Sequence, residues 1–482
     1  MSRAKSFVFG ELAEHNSRGV TIMCILKLRV ARRRIGAYGR EAVVLLSSAS
    51  LLSTIVTTTA AQVRPPVTSE SRLMLGDLYA QIAQQSPRTV AARALAQAAQ
   101  ARVPGASRPP DPQVQLGFMN YSLPRLAPMA TLGMTQLQLM QMIPLAGKLS
   151  WSGRVAGAQA SAANARADDV AWDARTQSAM MFYELYATDR ALDAARETLR
   201  LLEDIARTAE SMYRVGEGRQ ADVLRAQVAL ARMEEDTLRM HAMRQATEAT
   251  INALLDRDAT LGVGAPVLPT FPDSVPSRVW LDSIAVGSRP MLRAGLDDVR
   301  AAEGSERLAR KEIIPDLTVG VQYGQQGGDM GGTERMGSLM LGVSVPVFAR
   351  SRQLRMRDEA TAMRQMAQAD LAAMRADTRG KIGAAYAALV RARRLAHLYR
   401  TTVIPQAEAA AASALATYRV GGADFMTVLD DRMTVNQYRQ QLHALSAEQG
   451  KAWAELEMLV GRDLINPNGI ANDGDAPTGG VR

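Results

Sequence analysis

One tetrapeptide occurs twice in this chain, and its repetition constrains the fold more than any other feature. Residues 213–216 read Y-R-V-G, and the same four residues return at 418–421, an offset of 205. The same offset also matches Val223-Leu224 to Val428-Leu429, Leu254 to Leu459, and Arg257-Asp258 to Arg462-Asp463. Such identities at one fixed offset indicate a tandem duplication. Each copy has a long helical pattern, a glycine break and a second helical pattern, which predicts two antiparallel helical hairpins.

The first 61 residues have the three-part pattern of a secretory signal peptide. Basic residues are concentrated between positions 27 and 40, an apolar run covers 42–56, and the small residues Thr59, Ala60 and Ala61 follow. The apolar run is shorter than a membrane-spanning helix requires, so we predict cleavage after Ala61. Because this leader is unusually long, Met23 is an alternative start.

Removal of the leader changes the charge balance of the chain. Residues 1–61 hold nine Lys/Arg and three Asp/Glu, so they account for +6 of the formal net charge of +9. A mature chain near +3 gives no reason to expect a nucleic-acid partner. The single cysteine, Cys24, precedes the apolar run. Neither a lipid anchor nor a disulfide is therefore expected.

The mature part has a composition that favours helix, and it contains no apolar run of 18 residues. Aromatic residues make up only 5% of the chain, which indicates thin helix-on-helix packing rather than a large globular core. A first helix is predicted over residues 73–101, with a break at Pro87. Its counterpart is predicted over 281–311, with Pro290 at the equivalent place, because proline lacks an amide donor and clashes with the preceding turn.

After each of these helices the hydrophobic period becomes that of a β-strand. Residues 113–120 and 133–143 alternate apolar and polar side chains, and residues 317–323 and 336–345 do so again around a glycine-rich loop at 324–333. A half-buried sheet in a soluble protein has the same alternation. Here the strands follow a secretory signal in a chain without an apolar spanning helix, so we predict part of an outer-membrane barrel.

Four strands per chain cannot close a barrel, and open edges in lipid cost several kcal/mol for each unpaired backbone group. Two chains would supply eight strands, whose interior is largely filled by side chains. Three chains would supply twelve strands and leave room for a water-filled bore. We therefore predict a homotrimer that contacts outer-membrane lipid.

Very long helical segments follow Pro144 and Pro346. Residues 148–212 would extend about 100 Å if unbroken, and heptad spacing begins at Leu185. The counterpart over 354–417 contains Pro405, where a kink is expected. Shorter helices are predicted to return over 221–255 and 426–459. The tail from 466 to 482 is rich in Gly, Asn and Asp and is predicted to be disordered.

The order helix, β-hairpin, long helix, Y-x-V-G turn and helix, present twice behind a signal peptide, resembles the TolC-type outer membrane efflux family. The resemblance covers nearly all of residues 73–465, with one repeat at 62–265 and the other at 266–465. Residues 141–149, Q-M-I-P-L-A-G-K-L, are similar to the segment that enters the long helix in the heavy-metal efflux branch, where proline often stands in place of Ala146.

This resemblance implies a mainly α fold with a small β part. Three chains would form a twelve-stranded barrel in the outer membrane, continued by a periplasmic barrel of twelve helices. It also implies docking to a periplasmic adaptor protein and to an inner-membrane transporter of the RND type. The implied function is a passive exit duct for metal cations or drugs. The alternative is a non-conducting periplasmic coiled-coil scaffold or tether.

The two glycine turns are predicted to form the periplasmic tip that contacts the adaptor. An exposed turn at the end of a rigid hairpin is a common position for partner contacts. A competing explanation is that Gly216 and Gly421 only permit a left-handed backbone turn. The predicted tip residues are Val215, Gly216, Glu217 and Gly218 in the first copy, and Val420, Gly421, Gly422 and Ala423 in the second.

A gate at the same tip is implied by the resemblance. Family residues that contribute to constricting links match Asp222, Tyr418 and Asp430. A tyrosine hydroxyl could bridge to Asp222 between neighbouring helices, and convergent carboxylates would hold cations near the mouth. The alternative is that both aspartates lie on solvated helix faces and that the tyrosine is packing. This chain departs from the family pattern at Thr427 and Ala423, and Asp424 or Arg419 are candidate substitutes.

Other motifs do not predict a cofactor, a catalytic centre or a metal site. Residues 216–221 fit a loose dinucleotide pattern, but a helix precedes them and the second copy loses the pattern. Residues 147–150 lack the upstream glycine of a phosphate loop and have no Ser/Thr directly after Lys148. His241, His397 and His443 lack ligand spacing. The thioethers of Met119, Met134, Met140 and Met142 would suit Cu(I), although methionine more often fills gaps in cores.

Overall fold

The structure is a computed structural model that describes residues 72–122, 124, 127–129, 133–327 and 332–469. The predicted signal peptide, residues 1–61, lies outside the described residues, as do residues 470–482 of the predicted disordered tail. These two assignments, and cleavage after Ala61, remain predictions.

Each copy of the duplicated unit contains two short helices, a β-hairpin, a long helical segment and a returning helix. The helices of the first copy are α1 (Leu75–Gln85), α2 (Pro87–Ala106), α3 (Lys148–Arg214) and α4 (Gln220–Leu254). Those of the second are α5 (Arg278–Ser288), α6 (Pro290–Lys311), α7 (Gln353–Leu398), α8 (Ile404–Arg419) and α9 (Phe425–Val460). The strands are β1 (Arg72–Leu73), β2 (Gln113–Met119), β3 (Tyr121–Ser122), β4 (Ala127–Pro128), β5 (Met134–Ile143), β6 (Ala265–Pro266), β7 (Leu317–Gly327) and β8 (Thr333–Val343).

The predicted breaks at Pro87 and Pro290 are confirmed. Each proline is the first residue of a helix, where its missing amide donor costs nothing. The preceding residues, Ser86 and Arg289, are extended with ψ of 119° and 120°, because the proline ring disfavours the helical conformation there. α2 continues to Ala106, five residues beyond the predicted end.

The long helix α3 is unbroken over 67 residues, which corresponds to about 100 Å. Its predicted heptad positions are buried or half-buried from Leu185 to Ala209, whereas Tyr213 at the end of the helix is 46% exposed. The kink expected at Pro405 takes the form of a π-helical segment, Tyr399–Val403, that ends just before α8. The proline then lies in the first turn of α8, directly after this wider turn.

The main sheet has four antiparallel strands in the order β2-β5-β7-β8. The pairing places Val114, Leu139, Val321 and Leu339 side by side on one face. The next position along each strand brings Gln115, Gln138, Gln322 and Ser338 together on the other face. The strands of the second copy are longer than predicted at the tip of their hairpin, because residues 324–327 and 333–335 continue the backbone pairing without apolar side chains.

The apolar face of this sheet is exposed in the single chain. We call this set of exposed side chains the apolar band: Val114, Leu116, Phe118, Leu137, Leu139, Val321, Tyr323, Leu339, Leu341 and Val343. The outer edges of β2 and β8 pair with no other strand in the described part of the chain. No helix among the described residues is both long enough and apolar enough to cross a membrane.

A central core forms where α1 and α5 pack against the long helices. It surrounds Trp453, Phe182 and Tyr183, all of which are almost completely buried. This core is thicker than the thin helix-on-helix packing predicted from the low aromatic content, because several of the few aromatic residues are concentrated at this one level.

The duplication extends to a pair of buried polar positions, Asn252 and Glu457, which are 205 residues apart. The Asn252 side chain donates to the Leu261 carbonyl at 2.6 Å. Glu457 Oε1 accepts from the Leu464 and Ile465 amides at 2.8 and 2.9 Å. Each polar side chain therefore fixes the segment that follows its returning helix.

The chain remains ordered for a few residues beyond the predicted start of disorder. Residues 466–469 include a turn, and the Gly469 carbonyl accepts from the Thr270 amide at 3.1 Å. Residues 466–469 are therefore held in place by this contact, and the disorder of the remaining tail stays a prediction.

Candidate functional site at the turn end of the hairpins

The two Y-R-V-G turns have the same backbone conformation. Gly216 and Gly421 adopt φ values of 81° and 73°, which residues with a Cβ reach only with strain. The Glu217 amide donates to the Met212 carbonyl, and the Gly422 amide donates to that of Thr417, both at 2.9 Å. Both turns thus end their helices in a left-handed conformation, so backbone geometry accounts for the repeated glycine.

The surfaces of the two turns are open to solvent. Val215 and Val420, immediately before the glycines, are exposed apolar residues, and Glu217 is exposed as well. Exposed valines at two corresponding turns are the arrangement that the predicted docking tip requires.

Beneath the turns, the two hairpins pack together through a small hydrophobic cluster that we call the tip core. α3 contributes to it together with α4, α8 and α9. The ring of Tyr418, only 5% exposed, meets that of Phe425 edge to face, with centroids 5.6 Å apart. The tip core consists of Ala195, Leu202, Ile205, Ala209, Ala226, Ala229, Met233, Tyr418, Phe425 and Val428.

Tyr418 and Asp222 are both buried at the tip, and both carry a polar atom without a hydrogen-bond partner in the described part of the chain. The nearest basic atom to Asp222 is Nη1 of Arg225, 3.8 Å from Oδ1. Burial raises the pKa of Tyr418, and the negative charges of Asp222 and Asp424 reinforce that shift. The hydroxyl therefore stays protonated at physiological pH and is available as a donor.

Asp430 does not join this pair. It lies exposed on α9, and no hydrogen bond or ion pair links it to Tyr418 or Asp222 among the described residues. Asp424 is instead close enough to act on the tyrosine electrostatically. Arg419 borders a cavity of about 120 Å³ together with Asp204 and Arg432, beside α3.

The two positions that depart from the family pattern differ in burial, and two nearby residues were missed by the sequence analysis. Ala423 packs against the tip core, whereas Thr427 is exposed.

The missed residues are Phe425, which is fully buried, and Arg432, whose Nε is buried without a partner in the part that the structure describes. Their repeat counterparts are both glutamine, at 220 and 227, so the duplication gave no signal for them.

The histidines considered for metal chemistry lie on separate helices, whereas the methionines share one face of the sheet, where Met119 pairs with Met134 by register. Among the described residues, no group of three or more His, Cys, Asp or Glu is arranged to hold a metal ion. His241 lies 3.4 Å from an Arg196 nitrogen. By register, Met119, Met134, Met140 and Met142 all belong to the sheet face opposite the apolar band.

Comparison with known proteins identifies the family of this chain. The sequence profile of the family described as outer membrane efflux protein matches residues 78–257 and 281–462, and each matched segment contains one Y-R-V-G turn. The chain belongs to this family. The resemblance to TolC-type efflux proteins is therefore confirmed, and this outer membrane efflux protein is located in the outer membrane with a large periplasmic helical part.

Solved structures show the same fold at low sequence identity. VceC from Vibrio cholerae, described as an outer membrane protein, aligns with a TM-score of 0.70 and 19% identity over 81% of this chain and 96% of VceC. The open state of the MtrE outer membrane channel from Neisseria gonorrhoeae gives 0.68 and 15% over 81% and 90%. CusC gives 0.70 and 14% over 82% and 94%. No curated protein matches the chain.

Proposed function

We propose that three copies of this efflux protein form a passive, non-enzymatic exit duct of a tripartite efflux system. The observation that carries the proposal is the apolar band on a four-stranded sheet whose two edges are open. In water, ten exposed apolar side chains on one face would be costly, whereas in lipid they are the favourable surface. This observation favours a membrane duct over a soluble scaffold.

Closure of the sheet by further copies follows from the cost of open edges in lipid. Three copies supply twelve strands, with β8 of one copy pairing with β2 of the next, and a barrel of this size leaves an aqueous bore. The face that would line the bore carries Gln115, Gln138, Gln322 and Ser338 along its middle. These neutral polar groups do not select cargo by charge at the middle of the barrel.

The helices next to the sheet support a continuous tunnel. α2, α3, α6 and α7 adjoin β2, β5, β7 and β8 along the chain, and α2 packs on α3, α3 on α6, and α6 on α7. The helical layer thus has the same neighbour order as the sheet. Copies that close the sheet would also bring α7 beside α2 of the next copy and close a ring of twelve helices.

Conductance of purified protein in planar bilayers tests this function. We expect a detergent-extracted particle with the mass of a trimer that produces discrete conductance steps after insertion. A monomeric particle would contradict the closure of the sheet by other copies. A trimer that inserts without conducting would instead favour the scaffold alternative.

The gate is proposed at Tyr418 and Asp222, where two buried polar groups lie near each other without direct hydrogen bonds. Each unsatisfied buried polar group costs about 1–3 kcal/mol. A small shift of α4 against α8 that gave these groups a hydrogen-bond partner would therefore be favourable. Asp430 is retained only as a carboxylate on the exposed face of α9, where it would add negative charge to the mouth.

The double change Tyr418→Phe with Asp222→Ala should raise the resting conductance of the trimer and admit large antibiotics into cells. Both substitutions remove unpartnered polar atoms, so assembly should be preserved. Tyr213→Phe with Thr427→Ala is the matched control, because these exposed residues occupy the equivalent positions of the other copy. Single-channel recordings in which the gate variant and the control behave alike would count against the gate.

We propose that the exposed turns at 215–218 and 420–423 dock a periplasmic adaptor that connects to an inner-membrane RND-type transporter. Replacing Glu217 and Arg219 with tryptophan should abolish adaptor cross-linking and leave trimers intact, because both residues are exposed at the turn. The same replacement at Glu234, exposed on α4 away from the turn, is the control. Cross-linking that survives in the turn variant would place docking elsewhere.

A further inference from the structure

A groove of about 650 Å³ runs between α6 and α7, separate from the tip and from the sheet. Small residues on α6 make room for it, and the methionines of α7 line it. Its principal lining residues are Ala301, Ser305, Ala309, Met356, Met363 and Met366. Gly295 also contributes space, since the sulfur of Met374 lies 3.3 Å from where a Cβ on that glycine would stand.

Four carboxylates border this groove, and they differ in their partners. Asp298 is paired with Arg166 at 2.5 Å, and Glu312 lies 3.6 Å from Lys148. Glu359 and Asp370 form no ion pair with any basic residue in the described ranges. The groove therefore carries two uncompensated negative charges on one helix.

The spacing of these charges places apolar surface between them. Glu359 and Asp370 are eleven residues apart on α7, which corresponds to about 16 Å along the helix axis. Met363 and Met366 lie in the interval on the same groove. Thioether side chains are polarizable and adapt to irregular apolar surfaces. A ligand with an apolar body and a positive group at one end would thus meet matching surface and charge.

The size of the groove distinguishes such a ligand from a metal ion. A single ion needs only a few donor atoms around a space of atomic size, whereas drug-sized molecules occupy pockets of about 300–1,000 Å³. We propose that the α6–α7 groove binds amphiphilic organic cations, with the apolar body on the methionines and the charge at Glu359 or Asp370. Both carboxylates are exposed, so solvent screens their attraction, but their negative charge favours cations over anions.

The position of the groove relative to α5 indicates which side of the proposed duct it faces. This inference rests on the proposed function. α5 packs on another side of α7, where the guanidinium of Arg278 lies 3.3 Å from the position of a Cβ on Gly383. The groove residues of α7 lie on the side of that helix away from α5. If α5 covers the outside of the helical ring, the groove opens to its interior and lies along the path of the cargo.

Binding of rhodamine 6G to the purified trimer, followed by fluorescence anisotropy, tests the proposal. Fluorescein, with the same fused-ring core and a negative charge, is the matched ligand control. Glu359→Gln with Asp370→Asn should weaken rhodamine 6G binding about tenfold, equivalent to about 1.4 kcal/mol. Asp358→Asn should leave it unchanged, because Asp358 is paired with Arg357 at 3.0 Å and lines a different cavity.

A second variant separates an organic-cation site from a soft-metal site. Met363→Leu with Met366→Leu preserves side-chain volume and apolarity, so rhodamine 6G binding should change less than about twofold. If that variant instead loses both rhodamine 6G and silver(I) binding while the carboxylate variant retains them, the groove is a thioether metal site and the proposal is wrong.

The outcomes also separate this proposal from the duct itself. A trimer that conducts but does not bind rhodamine 6G overturns the groove proposal and leaves the duct intact, including the case in which a neighbouring copy covers the groove. A trimer that binds rhodamine 6G but does not conduct contradicts the proposed function and retains the groove as a binding site.

Discussion

Leu339→Arg should abolish assembly of the protein in the outer membrane, whereas Ser338→Arg should leave assembly intact. Leu339 is 68% exposed in the apolar band and lies in the middle of β8, while Ser338 belongs to the opposite face of the same strand. An arginine on the lipid face near the midplane costs about 2–4 kcal/mol, and a trimer would contain three. Membrane fractionation and native mass measurement of the extracted particle provide the readout.

Because Leu339 and Ser338 are adjacent in β8 but lie on opposite faces, the two variants compare the two faces of the sheet. Both substitutions introduce the same side chain into the same strand, so their effects on translation, secretion and β-propensity are closely matched. Ser338→Arg should change ion selectivity, because its guanidinium would lie on the bore side. Equal yields of membrane trimer from both variants would show that the apolar band does not face lipid.

Glu457→Ala should cause a large loss of stability in the helical part. Its carboxylate is 1% exposed, accepts from two backbone amides and lies 3.3 Å from the Arg175 guanidinium. Truncation leaves the two amide donors without their acceptor and removes one of the two carboxylates that pair with the half-buried Arg175 guanidinium. Breaking a buried pair in this way costs about 3–5 kcal/mol. Thermal melting of the detergent-solubilised protein, followed by circular dichroism, should shift downward by several degrees.

Asp463→Ala is the matched control, because Asp463 contacts the same Arg175 at 2.5 Å but its side chain is 63% exposed. An exposed ion pair contributes about 0–1 kcal/mol, so this variant should melt close to the parent protein. Glu457→Gln keeps an acceptor for the amides and should fall between the two. Burial raises the pKa of Glu457, which is consistent with a carboxylate whose charge is costly to bury and depends on its partners. Identical melting of all three variants would refute the assigned role.

The sheet and the helical hairpins could be predicted from sequence because their signals are local. Alternation with period two identified all four long strands, and the repeated turn identified both hairpins. Strand ends were less accessible, since Gln325 and Gln326 in β7 pair through the backbone and carry no apolar signal. The central core was missed because overall composition cannot show that Trp453 and Tyr183 meet at one level.

The candidate gate shows a different limit of sequence reasoning. Tyr213 and Tyr418 occupy identical motifs, yet the first is 46% exposed and the second 5%. The difference in exposure of the two tyrosines depends on which helix packs against each hairpin. Within one chain α9 packs against α3, and Tyr418 belongs to the cluster between these hairpins. A pattern shared by two copies cannot encode that asymmetry. Asp222 and Asp424 act on the tyrosine electrostatically, whereas Asp430 lies exposed on α9.

The shared backbone of the two turns has a consequence for stoichiometry. A trimer of duplicated chains would present six left-handed turns of nearly equal shape, each with an exposed valine before the glycine. Side chains break this equivalence, because Glu217 in one turn corresponds to Gly422 in the other. An adaptor that recognises the turn backbone and its valine would bind six times per trimer, whereas one that requires the glutamate would bind three times. The number of adaptors bound thus reports which of these features is recognised.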